Sequence, residues 1–194
     1  WTIGLVCYNP DGSLDTTFSG DGQLITTFGG NHTYGESVAV QGDGKVLVAG
    51  ASSTNFALVR YNPDGSFDTS FGSGGGVTTD IEGSYDYGRS VVVQPDGKIL
   101  VVGSRAIGYN GEFALVRYNA NGSLDTSFSD DGKLTTAIGS DNDIGFSVVL
   151  QTDGKIVVAG SSSNCSDDDF ALVRYNAEGS LDASGVFQAK SLMV

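Results

Sequence analysis

Apolar and polar positions alternate over short stretches along the whole chain, and glycine-bearing turns separate the stretches. In the segment 56–62 (Phe-Ala-Leu-Val-Arg-Tyr-Asn), the aromatic and branched residues favour a strand, and both of its faces are largely apolar. Such a strand is expected between two packed layers rather than facing water on one side. The Asn-Pro-Asp-Gly at 62–65 favours a tight turn, because proline presets one backbone angle and glycine accepts a positive φ.

This strand and its turn recur along the chain. The same seven residues return at 113–119 and at 170–176, with a spacing of 57 residues, and a degraded copy lies at 5–9. Two further apolar stretches around an Asp-Gly turn precede each full copy, which is the pattern of a hairpin. A further short strand is predicted after the turn in the first two full copies. Repetition at this period predicts one structural unit copied in tandem.

Four short antiparallel strands in a unit of 53–57 residues predict an all-β fold of β-propeller-type repeats. About three and a half units are present, and another chain could complete the set. We divide the chain into a half repeat at 1–36, repeats at 37–89 and 90–146, and a repeat with a divergent tail at 147–194. A β-sandwich or an open stack of sheets is the alternative, but neither explains the regular period by itself.

The recurring motifs also resemble a known family. Phe-Ala-Leu-Val-Arg-Tyr-Asn-x-x-Gly-Ser-Leu-Asp, with Gln-x-Asp-Gly-Lys-Ile-Leu-Val-Ala-Gly upstream, resembles the bacterial delta-60 repeat, a β-propeller-type repeat. The resemblance covers nearly all of residues 4–182 and is specific, because several long motifs recur in one order. It implies a propeller-type fold and a secreted or cell-surface setting. The family carries no general catalytic assignment, so the resemblance supplies no active site.

The charge of the chain narrows the class of partner. It has 10 basic and 23 acidic residues, which gives a net charge of −13. Because phosphate binding needs clustered lysine and arginine, this balance argues against nucleic acid and against an anionic membrane surface. No apolar run approaches the length of a membrane span, so none is expected.

An arginine and an aspartate lie at equal distances from the turn in each of the three full copies. A hairpin places such positions opposite one another, so we predict structural ion pairs that fix the turn. The predicted pairs are Arg60 with Asp68, Arg117 with Asp125, and Arg174 with Asp182. A catalytic site is normally unique, whereas this pair recurs, and the pairs are therefore not interpreted as catalytic. In the degraded copy Cys7 replaces the arginine and leaves Asp15 without its partner.

Other side chains are candidates for binding or modification. Turn carboxylates offer the hard oxygen ligands that calcium prefers, although turn chemistry already explains their presence: Asp64, Asp68, Asp141 and Asp143. Asn-x-Ser/Thr sequons in predicted loops or turns make three asparagines candidates for glycosylation: Asn31, Asn121 and Asn164. The two cysteines, Cys7 and Cys165, are either a disulfide pair or two unpaired thiols. Apart from the calcium candidates, no cofactor is expected.

Nothing in the chain favours an enzyme, since the single histidine, His32, lies beside no nucleophile elbow. We expect a non-enzymatic, extracellular or cell-surface protein with a structural or adhesive role. Its incomplete terminal repeats would join copies of the chain by strand addition into an oligomer or filament. The alternative is a glycan- or calcium-binding propeller module, with tyrosines as candidate glycan contacts: Tyr34, Tyr85, Tyr87 and Tyr109.

Overall fold

The computed structural model describes residues 2–29, 32–82, 85–108, 110–164 and 167–189, without the side chains of 185–189. This part of the chain is built of strands and turns, and it contains no helix that could cross a membrane. The strands form one two-stranded sheet and three four-stranded sheets. The prediction of an all-β fold with four-stranded, propeller-type repeats is therefore confirmed. The four sheets do not close into a ring within the described residues.

Each four-stranded sheet, here called a blade, is a meander in which consecutive strands pair antiparallel. The half-blade pairs β1 (Ile3–Val6) with β2 (Gln23–Thr26). Blade 1 consists of β3 (Thr33–Val40), β4 (Val46–Ser52), β5 (Asn55–Tyr61) and β6 (Gly76–Thr79). Blade 2 consists of β7 (Tyr85–Val93), β8 (Ile99–Ile107), β9 (Asn110–Tyr118) and β10 (Lys133–Thr136). Blade 3 consists of β11 (Asp143–Leu150), β12 (Ile156–Ser163), β13 (Asp168–Tyr175) and β14 (Leu181–Ala189).

The first strands of the blades lie side by side, with β7 in contact with both β3 and β11. Each first strand has a β-bulge at the same place, and the extra residue there has no partner across the ladder: Glu36, Arg89 and Phe146. Opposite the bulges of blades 1 and 2 lie Gly50 and Gly103. A Cβ on either glycine would collide with the carbonyl of Tyr34 or Tyr87, so the recurring glycine permits the close approach of the two strands.

The core lies between the blades. Leu47, Phe56 and Leu58 of blade 1 pack with Ile99 and Val101 of blade 2 in one buried cluster. An equivalent cluster joins blade 2 to blade 3, and a smaller one joins the half-blade to blade 1. This arrangement of three stacked sheets and a half-sheet differs from a two-layer β-sandwich. Each blade therefore relies on its neighbour to bury one of its two apolar faces.

The prediction that the recurring strand is covered on both faces is correct for β5 and β9 and wrong for β13. In β5 every residue from Phe56 to Tyr61 is buried. In β13 buried and exposed positions alternate, and Phe170 is 82% exposed. The physical reason is that no described blade follows blade 3, so one face of its sheet remains in contact with solvent.

Candidate functional site

Each blade has an ionic cluster where its third strand enters the turn. Arg60 donates from Nε to Oδ2 of Asp68 at 2.8 Å, and Nζ of Lys45 lies 2.9 Å from the same oxygen. The cluster recurs as Arg117, Asp125 and Lys98, and as Arg174, Asp182 and Lys155. The structure thus brings together the two members of each predicted pair. It adds a lysine that sequence reasoning missed, although the repeated Asp-Gly-Lys at the hairpin turn was a usable signal.

The electrostatics of the cluster favour a permanently ionised carboxylate. The hydroxyl of Ser70 donates to Oδ1 of Asp68 at 2.6 Å, and this bond is the largest influence that holds the pKa of Asp68 below its usual range. Burial acts in the opposite direction, while Lys45 and Arg60 reinforce the lowering of the pKa. A carboxylate held in this way exchanges protons poorly near neutral pH, so the cluster suits a structural role.

The arginine of each cluster also binds the next blade, which the sequence did not reveal. Nη1 of Arg60 donates to the carbonyl of Ala120 in the turn of blade 2 at 2.7 Å, and its guanidinium lies 4.4 Å from the ring centroid of Phe71. Arg117 makes the equivalent bond to the carbonyl of Ala177 in blade 3. Backbone bonds follow the same route, since Gly72 donates its N–H to the carbonyl of Asn121 at 2.9 Å. The cluster therefore locks one blade to the next.

In blade 3 the same arginine is more accessible. The side chain of Arg174 is 28% exposed, against 8% for Arg60 and 7% for Arg117. Around it lies the surface that we call the open face of blade 3, which consists of Phe146, Val149, Phe170 and Leu172. A groove of about 400 Å³ lies on part of this face, and its lining includes Phe146, Phe170 and Leu172.

The opposite end of the protein also exposes apolar residues that are buried elsewhere. Val6 is 52% exposed and Tyr8 is 63% exposed, whereas the residues at the same repeat positions in blade 3, Val173 and Tyr175, are fully buried. Ile25 lies opposite Gly4 on the neighbouring strand, on the same face as Val6, and is 79% exposed. We call Val6, Tyr8 and Ile25 the half-blade face. The two ends of the chain thus expose residues that form the interfaces between blades in its interior.

The candidate calcium ligands are engaged in local hydrogen bonds. Asp143 is fully buried and accepts N–H groups from Ile138 and Gly139, and Asp64 accepts both the N–H and the hydroxyl of Ser66. Asp68 belongs to the ionic cluster, and Asp141 lies in the loop before β11. Among the residues that the structure describes, no three acidic, histidine or cysteine side chains come together in a way that could hold a metal ion.

The remaining predicted sites lie apart from one another. Asn121 is exposed in the turn of blade 2, and Asn164 is exposed after β12. Sγ of Cys7 lies 3.9 Å from Oδ2 of Asp15, in the place that an arginine takes in the other repeats. Asn31 and Cys165 lie outside the described residues, so both the choice between a disulfide and two unpaired thiols and the sequon at Asn31 stay predictions. Glycosylation of the asparagines stays a prediction.

Comparison with known families agrees with this repeat geometry. The model of a family described as a domain of unknown function (DUF5122) β-propeller matches residues 1–18, 41–71, 94–128 and 151–184, together more than half of the chain. The chain belongs to the DUF5122 β-propeller family. The resemblance to a β-propeller repeat family is thereby confirmed. Among curated proteins, none matches this DUF5122 chain at a significant level.

The four matched segments correspond to particular parts of each unit. They contain the third strand and the turn of every repeat, with the second strand where a whole blade is present. The first strands β3, β7 and β11 lie outside the matched segments. The family match therefore follows the ionic clusters and the blade-to-blade locks, and leaves out the strands that carry the bulges.

Proposed function

We propose that this DUF5122 protein is a non-enzymatic structural protein that assembles by stacking blades of different copies head to tail. The open face of blade 3 of one copy packs on the half-blade face of a second copy. One observation carries the proposal: Phe170 is 82% exposed, whereas Phe56 and Phe113 at the same repeat position are fully buried. An apolar residue so exposed, beside other exposed apolar residues, is typical of an interaction surface.

The choice of a second copy as the partner rests on complementarity. Inside the chain, Phe113 of blade 2 packs in one cluster with Val173 and Tyr175 of blade 3. In the proposed contact, Phe170 of the open face takes the place of Phe113. Val6 and Tyr8 of the half-blade face take the places of Val173 and Tyr175. Each copy therefore carries both halves of an interface that it already makes internally. Such a heterologous contact gives a ring if it closes and a filament if it does not.

The ionic cluster of blade 3 supplies a directional contact for the same interface. Arg60 and Arg117 each donate to the carbonyl of the residue after the turn asparagine in the next blade, namely Ala120 or Ala177. The corresponding residue in the half-blade is Pro10. We expect Arg174 of one copy to donate to the carbonyl of Pro10 in the other, which fixes the register of stacking. A proline at this position loses no acceptor, because its carbonyl remains free to bind.

Strand addition contributes to the same assembly. Among the described strands, β1 pairs only with β2. The equivalent strand of a full blade also pairs with the second strand of that blade. The edge of β1 that corresponds to this pairing is therefore available to another chain. Unpaired edges of this kind attract strands from other chains. An extracellular or cell-surface setting is part of the proposal, and it rests on the resemblance to the delta-60 repeat and on the strongly acidic charge, which suits solubility.

Paired charge substitutions test the proposal. We expect the native protein to form oligomers whose mass rises with concentration in light scattering coupled to size-exclusion chromatography. Phe170→Asp and Tyr8→Asp should each give monomers, because each places a charge in an apolar contact. Their equimolar mixture should give a defined dimer, since each variant retains the face that the other lacks. Ile107→Asp is the matched control, because Ile107 is 50% exposed but lies on neither face.

Two results would contradict head-to-tail stacking. A native protein that stays monomeric over the whole concentration range excludes self-assembly. A variant that still forms dimers by itself, while the other variant is monomeric, indicates an isologous contact between like faces. Circular dichroism of each variant establishes that it is folded before its mass is interpreted.

A further inference from the structure

One basic residue differs from the others in its surroundings. Of the nine lysines and arginines in the described segments, eight have a carboxylate oxygen within 4.0 Å, and Arg89 has none. Its Nε is buried and has no hydrogen-bond acceptor among the residues that the structure describes. In a chain with a net charge of −13, carboxylates are plentiful. A guanidinium that stays charged and lacks a protein carboxylate is suited to bind the carboxylate of a ligand.

Arg89 is held in place by aromatic rings. It is the extra residue of the β-bulge in β7, and a bulge redirects the side chain that it carries. Its guanidinium carbon lies 5.9 Å from the ring centroid of Tyr87 and 5.5 Å from that of Phe146. Such cation–π contacts orient the guanidinium and use its flat face, so the donors along its edge remain available. The bulges of the other blades carry Glu36 and Phe146, so the fold itself does not require arginine here.

A row of aromatic residues leads to this arginine. Along β7, Tyr85 is 51% exposed and Tyr87 is 37% exposed, whereas Asp86 and Gly88 between them are buried. The alternation places the two tyrosines and Arg89 on one face of the first strand of blade 2. This face stays accessible although blade 3 is already packed on blade 2.

We propose that Tyr85, Tyr87 and Arg89 form a binding site for an acidic saccharide of the uronic-acid class. The tyrosine rings give apolar surfaces on which pyranose rings can stack, and their hydroxyls give polar contacts at the rim. Arg89 binds the carboxylate of the sugar through the free edge of its guanidinium. None of the three residues belongs to the two faces assigned to self-assembly, although Arg89 contacts Phe146 of the open face, and this proposal is tested by sugar binding rather than by oligomeric state.

Isothermal titration calorimetry with trigalacturonate, and with its methyl ester, tests this site. The ester keeps the sugar rings and replaces each carboxylate by an uncharged methyl ester. We expect the native protein to bind the acid form, with an affinity that falls as salt is added, and to bind the ester about tenfold or more weakly. Arg89→Gln should remove this preference for the acid, whereas Tyr87→Ala should weaken the binding of both forms.

Lys133→Gln is the control for net charge, since Lys133 lies on β10 and its substitution changes the charge by the same amount. Arg89→Lys keeps the charge without the planar fork, and should retain only part of the preference. Failure of the native protein to bind trigalacturonate, equal binding of acid and ester, or an equal effect of Lys133→Gln would each overturn the proposal. Thermal unfolding identifies any variant that is not folded, and Arg89→Lys then serves as the test.

Discussion

Phe113 in blade 2 and Phe170 in blade 3 begin the same seven-residue motif, yet one is fully buried and the other is 82% exposed. Each of their strands pairs antiparallel with a strand on either side. The difference comes from outside the blade, because blade 3 covers Phe113 and no described element covers Phe170. In this fold the burial of a residue is therefore a property of the interface between blades rather than of the strand that carries it.

The turn glycines show the same contrast at the other end of the protein. Gly12 and Gly122 both have a positive φ, of 86° and 89°. A Cβ on Gly122 would lie 3.0 Å from the backbone nitrogen of Gly72 in the preceding blade, whereas a Cβ on Gly12 would meet nothing within 4 Å. The positive φ favours glycine at both positions. At Gly122 the packing of the preceding blade adds a second, steric requirement.

The largest expected effect separates the two phenylalanines. Phe113→Ala should lower the free energy of unfolding by about 3–5 kcal/mol, because it leaves a cavity between blades 2 and 3. Phe170→Ala should change the stability of the monomer by less than about 0.5 kcal/mol. Guanidinium unfolding at a protein concentration too low for self-association measures both values. Equal losses for the two variants would mean that Phe170 is covered in solution.

The ionic cluster should show the next largest effect. Asp125→Asn removes the carboxylate that Arg117 and Lys98 share, and should cost about 2 kcal/mol, since two cations are left close together at a largely buried site. Asp15→Asn is the matched control, because the position opposite Asp15 is Cys7 rather than arginine. Its loss of stability should be clearly smaller. An equal loss would show that the local turn, rather than the ionic cluster, is the source of the effect.

Alanine substitution at the turn glycines gives a smaller difference. Gly12→Ala should cost about 1 kcal/mol, the strain of a positive φ at a residue with a Cβ. Gly122→Ala should cost about 2 kcal/mol, because the added carbon also crowds Gly72 and the ring of Phe71. The excess over Gly12→Ala measures how tightly blades 1 and 2 pack. Unfolding curves of both variants in the same buffer measure this excess. Equal losses of stability for the two variants would contradict tight packing.

The smallest expected effect concerns pH. Burial would raise the pKa of Asp125, but Ser127, Lys98 and Arg117 outweigh it and hold that pKa below the usual range. Its stabilising contribution is therefore present above the unfolded pKa and is lost as pH falls through the folded pKa. For Asp86 burial dominates and raises the pKa, so the cost of its buried charge is relieved as pH falls through that higher pKa.

The two aspartates should therefore affect the free energy of unfolding in different pH ranges. Asp86→Asn should flatten the profile in mildly acidic solution, above the ordinary pKa of 3.8, whereas Asp125→Asn should flatten it at the acidic end. Guanidinium unfolding repeated at a series of pH values distinguishes the two. An Asp86→Asn profile that is identical to the native one would show that Asp86 does not titrate in that window.

Much of the site was accessible from the sequence because its chemistry is local. Arg60 and Asp68 lie eight residues apart around one turn, so turn geometry alone predicts that they meet. The bond from Arg60 to the carbonyl of Ala120 joins residues 60 positions apart, and it depends on how two blades pack. Asp143 was a calcium candidate by residue type, but its loop directs backbone N–H groups at it. Arg89 was missed although each bulge falls in a recurring Gly-x-Ser-Val, because that pattern does not by itself show where the side chain of the extra residue is directed.

The sequence by itself determined the repeating unit: its period, its four strands, its turns and its arginine–aspartate pairs. These features depend on alternation, on turn residues and on charges a few positions apart, all of which act over short stretches of chain. Only the tertiary structure decided which copies of the motif are covered, because each blade buries its outer face on a separate blade. The same residues at 113–119 and at 170–176 therefore have different surroundings, and the exposed copy becomes the candidate for assembly.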